Sequence, residues 1–132
     1  MQIAAKVVNA PGTHSAVVRT GDKAQPLSVA ARPAGGSSVN GGEFLMLALA
    51  TCYCNDLYRE AARLGIELRQ VEVEATATFA GIGLAASDVR YRARVDSPAP
   101  AEVVERLLRE TDAVAEVHNT LRAAVPVRLE TP

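Results

Sequence analysis

The residues of this chain most able to do chemistry are two thiols and a carboxylate: Cys52-Tyr-Cys54, with Glu43 nine positions earlier. A deprotonated thiol is a nucleophile or a metal ligand, and a nearby carboxylate either takes a proton or holds the cation that favours the thiolate. All three fall in one helical stretch, Glu43 to Leu64, so their spacing decides what they can share. Residues two apart on a helix point about 200° away from each other, so Cys52 and Cys54 face different surroundings and do not easily form a disulfide together. Nine residues place Glu43 about 180° from Cys52 and roughly 13 Å along the axis, which excludes direct contact within a straight helix. If Glu43 acts on Cys52, it must do so from another subunit, through a third residue or after a bend. The alternative is that it caps the helix while Cys52 is a small buried hydrophobe. With His14 and His118 as the only imidazoles and a single thiol on each face, a metal site is not expected.

The elements that must position these groups follow from hydrophobic periodicity. In the helix, Leu45, Leu49, Cys52, Asp56, Arg59 and Arg63 recur at spacings of three and four. Its first half, from Phe44, is apolar on all sides and should be buried all round, whereas Asp56 to Arg63 is amphipathic and stops at Gly65. Asn40 three residues before Glu43 has the form of a capping box. Upstream, Ile3 to Asn9, Ser15 to Arg19 and Leu27 to Ala31 read as a three-stranded meander, with Thr20-Gly21-Asp22-Lys23 as a turn. Pro33 to Gly42 is a Gly- and Ser-rich loop, either a connector or a mobile lid.

Downstream, Val71 to Phe79 alternates apolar and polar residues without interruption, and Val89 to Val95 does the same with Arg90, Arg92 and Arg94 outward. A hairpin loop from Gly81 to Ser87 joins them. Pairing would set the arginines opposite Glu72 and Glu74, and cross-strand ion pairs explain the stripe more simply than phosphate binding. Pro98 to Glu110 is a second amphipathic helix, Ala115 to Leu121 a third helix or a single turn of one, and Val125 to Leu129 a closing strand. This order implies an α+β fold with helices on one side of largely antiparallel sheet.

Composition narrows the function classes. The chain has 132 residues, 48% hydrophobic and 22% charged, the size and balance of one globular domain spanning 1–132. Its formal charge is −1, and its 12 arginines are scattered among acids, so neither nucleic acid nor an anionic membrane is an expected partner. The most apolar run, Phe44 to Ala50, is far shorter than the ~20 residues of a membrane span, and no secretory signal opens the chain. Two free cysteines suit a reducing, cytoplasmic setting. Only 4% of residues are aromatic while 24 are alanine, a filling that points to completion of the core by a second copy.

The stretch Asn40-Gly-Gly-Glu-Phe-Leu-Met-Leu-Ala-Leu-Ala-Thr-Cys52, continuing to Asp56, and then Gly65-Ile-Glu-Leu-Arg-Gln-Val-Glu-Val-Glu74, resembles the osmotically inducible protein C (OsmC) and organic hydroperoxide resistance (Ohr) family. The order of elements agrees over nearly the whole chain. The resemblance implies an intertwined homodimer, with the Cys52 helix at its centre, that reduces organic hydroperoxides with thiols and without a cofactor. Cys52 would be the peroxidatic thiol, oxidised to a sulfenic acid, and Glu43 would match the acidic residue that positions an activating arginine. Two departures stand out. The family's second cysteine corresponds to Ala115, and its arginine falls in the N-terminal meander, where this chain offers Thr13 and His14, with Arg19 and Arg32 as approximate substitutes.

Three readings result. The chain is a divergent peroxidase, with Cys52 resolved by Cys54 after helix distortion or by an external dithiol. Or it is a dimer that binds a small apolar ligand or senses oxidants without turnover. Or it is a structural dimer with inert cysteines.

Overall fold

The computed structural model describes residues 1–131. The chain divides into two compact units, Met1–Phe44 and Leu45–Pro132. Together they carry an α+β set of elements with antiparallel sheets.

In the first unit, β1 (Ile3–Ala10), β2 (Thr13–Thr20) and β3 (Lys23–Leu27) form an antiparallel sheet in the order β1-β2-β3. The third strand sits earlier than the expected Leu27 to Ala31. Thr20 pairs directly with Lys23, so the hairpin uses two residues, Gly21-Asp22, and the ladder resumes at once. Pro26 within β3 has no N–H to donate, and the strand's edge position tolerates that. No described side chain of this unit is fully buried.

Helix α1 (Gly41–Leu64) starts with the expected capping box: the Glu43 N–H donates to Asn40 Oδ1 at 2.8 Å, and the Asn40 N–H donates to Glu43 Oε1 at 3.1 Å. It ends in a Schellman motif at Gly65, φ 69°, with Ile66 N–H donating to Ala61 O at 2.9 Å and Gly65 N–H to Ala62 O at 3.3 Å. Positive φ there requires a residue without a Cβ penalty. Within a single chain the first half of α1 is not enclosed on all sides. From Phe44 to Ala50 only Leu49 is buried, and Leu47 is 57% exposed.

The second unit places β4 (Gln70–Thr78) against β5 (Ser87–Asp96) in antiparallel register. Glu72 lies opposite Arg94 and Glu74 opposite Arg92, and Arg92 Nη2 meets Glu74 Oε2 at 2.6 Å, as cross-strand pairing requires. Helices α2 (Ala101–Val114) and α3 (Glu116–Arg122) follow. The second helix starts three residues later than expected, because Pro100 holds φ −57° and ψ 148° as the cap, outside the helical region. Val125 to Leu129 forms no strand. Ala124, at φ 49°, turns the chain out of α3, Pro126 lacks an amide donor, and no ladder partner meets these residues among those described.

The core of this unit is Tyr53, Leu57, Ala61, Leu107 and Ala115, flanked by the inward faces of β4 and β5. Strict alternation in β4 supplies Val71 and Val73, and β5 supplies Tyr91, Ala93 and Val95. Among the described residues no helix is long and apolar enough to cross a membrane.

Candidate functional site

Cys52 lies in the middle of α1, half-buried, with its side chain on the face that carries Asp56 and Arg59 one and two turns later. Its Sγ donates to Asp56 Oδ2 at 3.5 Å. From α3, Glu116 brings Oε2 to 3.9 Å from the same sulfur. The two carboxylates are joined by one cation: Arg59 Nη1 donates to Asp56 Oδ1 at 2.9 Å and to Glu116 Oε1 at 3.1 Å. Glu60, also buried, takes Arg59 Nε at 3.4 Å and Arg63 Nε at 2.7 Å, which anchors the guanidinium from behind.

This arrangement works against a thiolate. Burial first, and then the negative charges of Asp56 and Glu116, push the Cys52 thiol above its ordinary pKa, opposed by a backbone hydrogen bond from Val117. Burial also raises the Asp56 carboxyl, helped by the adjoining Glu116 carboxyl, whereas Glu116 is lowered by its own backbone N–H and by Arg59. Of the pair, Asp56 is the one that keeps a proton more readily. The cluster is therefore a thiol hydrogen-bonded to a carboxyl group of raised pKa, with a neighbouring carboxylate and a guanidinium to balance charge.

The Cys52 sulfur and one oxygen each of Asp56 and Glu116 lie within 4.8 Å of one another, close enough to share a cation. The cation that both carboxylates hold in this structure is the Arg59 guanidinium.

The other two expected site residues are placed differently. The Glu43 carboxylate is engaged by the Asn40 N–H in the helix cap, nine residues before Cys52 on the same helix. Cys54 follows Cys52 by two residues on unbroken helix and does not join the Cys52 cluster. Of the basic residues considered from the N-terminal meander, Arg19 donates to its own hairpin carbonyl, Gly21 O, at 2.6 Å, and His14 pairs with Asn9 at 2.9 Å. Asp56, Arg59 and Glu116 are the site residues that sequence reasoning did not single out. The first two had a signal, since they follow Cys52 by four and seven residues on one helical face. Glu116 had none, being 64 residues away.

Ala115, which the resemblance sets against the family's second cysteine, is fully buried at the junction of α2 and α3, directly before the Glu116 that reaches Cys52. The next turn carries His118, 3% exposed, which packs its ring edge-on to Tyr91 at 4.4 Å between centroids. Tyr91 and Tyr53 stack in the same manner at 4.7 Å, and Tyr53 Oη donates to Leu108 O at 2.7 Å. Tyr91 Oη donates to Asp112, whose carboxylate also binds Arg122 at 2.7 Å.

Comparison with known proteins agrees with this architecture. No curated protein matches the chain in sequence. Among solved structures it is similar to an OsmC-like protein from Mycoplasma pneumoniae, with a TM-score of 0.66 and 12% identity over 90% of this chain and 87% of that one. It is also similar to an organic hydroperoxide resistance protein from Elizabethkingia anophelis, with a TM-score of 0.64 and 14% identity over 92% and 89%. A third, an OsmC-like protein of unknown function from Vibrio cholerae, gives a TM-score of 0.62 and 13% identity over 91% and 93%. At these identities the likeness is one of fold. A family model described as OsmC-like protein matches residues 34–130, which span α1, the β4–β5 hairpin and both following helices, and on that match the chain belongs to the OsmC-like family.

Proposed function

We propose that this protein reduces organic hydroperoxides with Cys52 as the peroxidatic thiol. The observation that carries the reading is the Cys52–Asp56 pair: a half-buried thiol whose proton has an acceptor at 3.5 Å, itself backed by Arg59. Membership of the OsmC-like family, with neighbours named hydroperoxide resistance proteins, supports the substrate class.

In the reaction the thiol proton passes to Asp56, and the thiolate attacks one peroxide oxygen. An S–O bond forms as the O–O bond breaks, so sulfur loses two electrons and the peroxide gains them. The departing alkoxide takes the proton back and leaves as an alcohol. An external dithiol then reduces the sulfenic acid, releasing water and leaving its own disulfide. Ala115 supplies no second thiol, and Cys54 would need distortion of α1, so the external dithiol is the simpler resolving agent.

A second reading is a non-catalytic member that binds a small apolar ligand or senses oxidants; the raised pKa of Cys52 favours its ligand-binding form, because a thiol held protonated reacts slowly with peroxide. In either case we assign a homodimer working in the cytoplasm. The support is that residues 1–44 contain no fully buried side chain and that Leu47 of α1 is exposed, surfaces that a second copy would cover, while two free thiols suit a reducing compartment.

Cys52→Ser separates the readings. With cumene hydroperoxide and dithiothreitol, peroxide consumption should fall to the uncatalysed rate in the variant and persist in Cys54→Ser. Equal consumption by wild type and Cys52→Ser excludes the peroxidase. A sulfenic acid detected at Cys52 by mass spectrometry without repeated turnover selects the sensor.

A further inference from the structure

The two carboxylates beside Cys52 divide their oxygens between two neighbours. Asp56 Oδ1 and Glu116 Oε1 accept from Arg59 Nη1 at 2.9 and 3.1 Å, while Asp56 Oδ2 and Glu116 Oε2 lie 3.5 and 3.9 Å from Cys52 Sγ. The guanidinium thus holds each acid so that its second oxygen converges on the sulfur. Carboxylates that ligate metals are held in the same way, by hydrogen bonds from groups outside the ligand set.

The distances match one kind of ion. Zinc takes thiolate sulfur at about 2.3 Å and carboxylate oxygen at about 2.0–2.2 Å in a tetrahedron, which sets sulfur and oxygen about 3.5–3.7 Å apart. The two sulfur–oxygen edges here are 3.5 and 3.9 Å, and all three ligand atoms lie within 4.8 Å of one another. Magnesium and calcium favour oxygen ligands, so the thiol selects a softer ion. Three protein ligands leave a fourth position to water, and the Glu116 side chain, 66% exposed, leaves a way in from solvent.

Burial is a separate observation that points to a ligand. The Asp56 side chain is only 7% exposed, and among the described residues the one hydrogen bond to its Oδ2 comes from the thiol, a weak donor. A buried carboxylate oxygen ordinarily receives N–H or O–H donors, and this one faces the sulfur instead. Charge agrees. A thiolate and two carboxylates would set three negative charges around the Arg59 guanidinium, the adjoining Glu60 being answered by Arg63, and a divalent cation removes that excess. A single thiol on each helix face gives the sequence no metal signature, because the third ligand arrives from α3, 64 residues on.

We propose that Cys52, Asp56 and Glu116 form a zinc site, with Arg59 holding both carboxylates from outside it. On binding, Cys52 Sγ gives its proton to solvent and its electron pair to the metal, and nothing is oxidised or reduced. The site goes beyond the peroxidase reading, and its test uses no peroxide, so either can fail without the other.

The test is a titration of the whole protein, reduced, metal-free and without an affinity tag, with cobalt(II) and then zinc. The expected result is a thiolate-to-cobalt charge-transfer band in the near ultraviolet that saturates at one ion per chain and disappears when zinc displaces the cobalt. Cys52→Ser should lose the band and Cys54→Ser should keep it. Asp56→Asn and Glu116→Gln should each weaken binding at least about tenfold. Glu116 is largely exposed, so its variant probes the site without disturbing the core. In wild type, zinc at about ten times its dissociation constant should slow iodoacetamide labelling of Cys52 about tenfold as the free fraction falls, with Cys54 unaffected and a chelator restoring the rate. The proposal is overturned by no saturable band in wild type, by a band that survives Cys52→Ser, by Glu116→Gln binding as tightly as wild type, or by Cys52 labelling that zinc leaves unchanged. The first and last of these need no variant.

Discussion

Glu116 on α3 brings a carboxylate oxygen to 3.9 Å from the sulfur of Cys52 on α1, and Arg59 ties that carboxylate to Asp56, which accepts from the same thiol. Cys52 is thus surrounded by acids, with its nearest organised cation one residue removed. The cation's effect reaches sulfur through carboxylates instead of directly, so the surroundings hold Cys52 as the thiol.

The pH dependence of Cys52 follows. Its pKa is raised above the ordinary 9.0, so its alkylation rate should keep climbing above that pH. Asp56→Asn keeps the size of the side chain and removes one of the charges that raise the thiol. Iodoacetamide labelling at pH 8, read by peptide mass spectrometry, should become several-fold faster at Cys52, with Cys54 as the internal reference. An unchanged ratio of the two rates would mean that Asp56 does not act on the sulfur.

Ala115→Cys should restore an intramolecular resolving thiol. The position is buried and immediately precedes Glu116, whose side chain already reaches Cys52. One equivalent of cumene hydroperoxide should convert Cys52 and the introduced thiol into a disulfide that dithiothreitol reopens, detected as a loss of two hydrogen masses in the linked peptides. Persistence of the sulfenic acid at Cys52 would show that the backbone at the α2–α3 junction holds the two sulfurs apart.

His118 makes stability depend on pH in a defined direction. Its folded pKa lies below its ordinary 6.5, so the unfolded chain binds a proton first as pH falls, and stability is lost from about 6.5 downward until the folded pKa is reached. Asp56, raised in the folded chain, works in the opposite sense at lower pH. Urea midpoints measured from pH 7.5 to 5.5 should fall for wild type and stay flatter for His118→Phe. Parallel curves would remove His118 as the cause.

Leu107 is fully buried in the cluster of Tyr53, Leu57, Ala61 and Ala115. Leu107→Ala should lower unfolding stability by about 2–5 kcal/mol, checked by urea denaturation with unchanged slope. A loss under about 1 kcal/mol would place the core of this unit elsewhere.

How much of this was legible in the sequence depended on the range of the interaction. The capping box of Asn40 and Glu43, the stop at Gly65 and the alternation of β4 are local rules, and each appears where the residues indicate. Boundaries shifted where a shorter turn competed, as at Gly21-Asp22, or where a proline set the cap, as at Pro100. Val125 to Leu129 failed because apolar alternation states only that a strand would be favourable, not that a partner is there to pair with it. At the candidate site, the shared helical face of Cys52, Asp56 and Arg59 was legible as spacing, whereas Glu116 arrives by the docking of α3, which leaves no periodic trace.

The three-stranded sheet of Met1–Phe44, without one fully enclosed side chain, has little to resist local opening. Its amides should exchange hydrogen with solvent through small fluctuations, and those around Leu57 and Leu107 only through larger ones. Any surface that covers that sheet would therefore register as slowed exchange in β1 to β3 before it registered in overall stability.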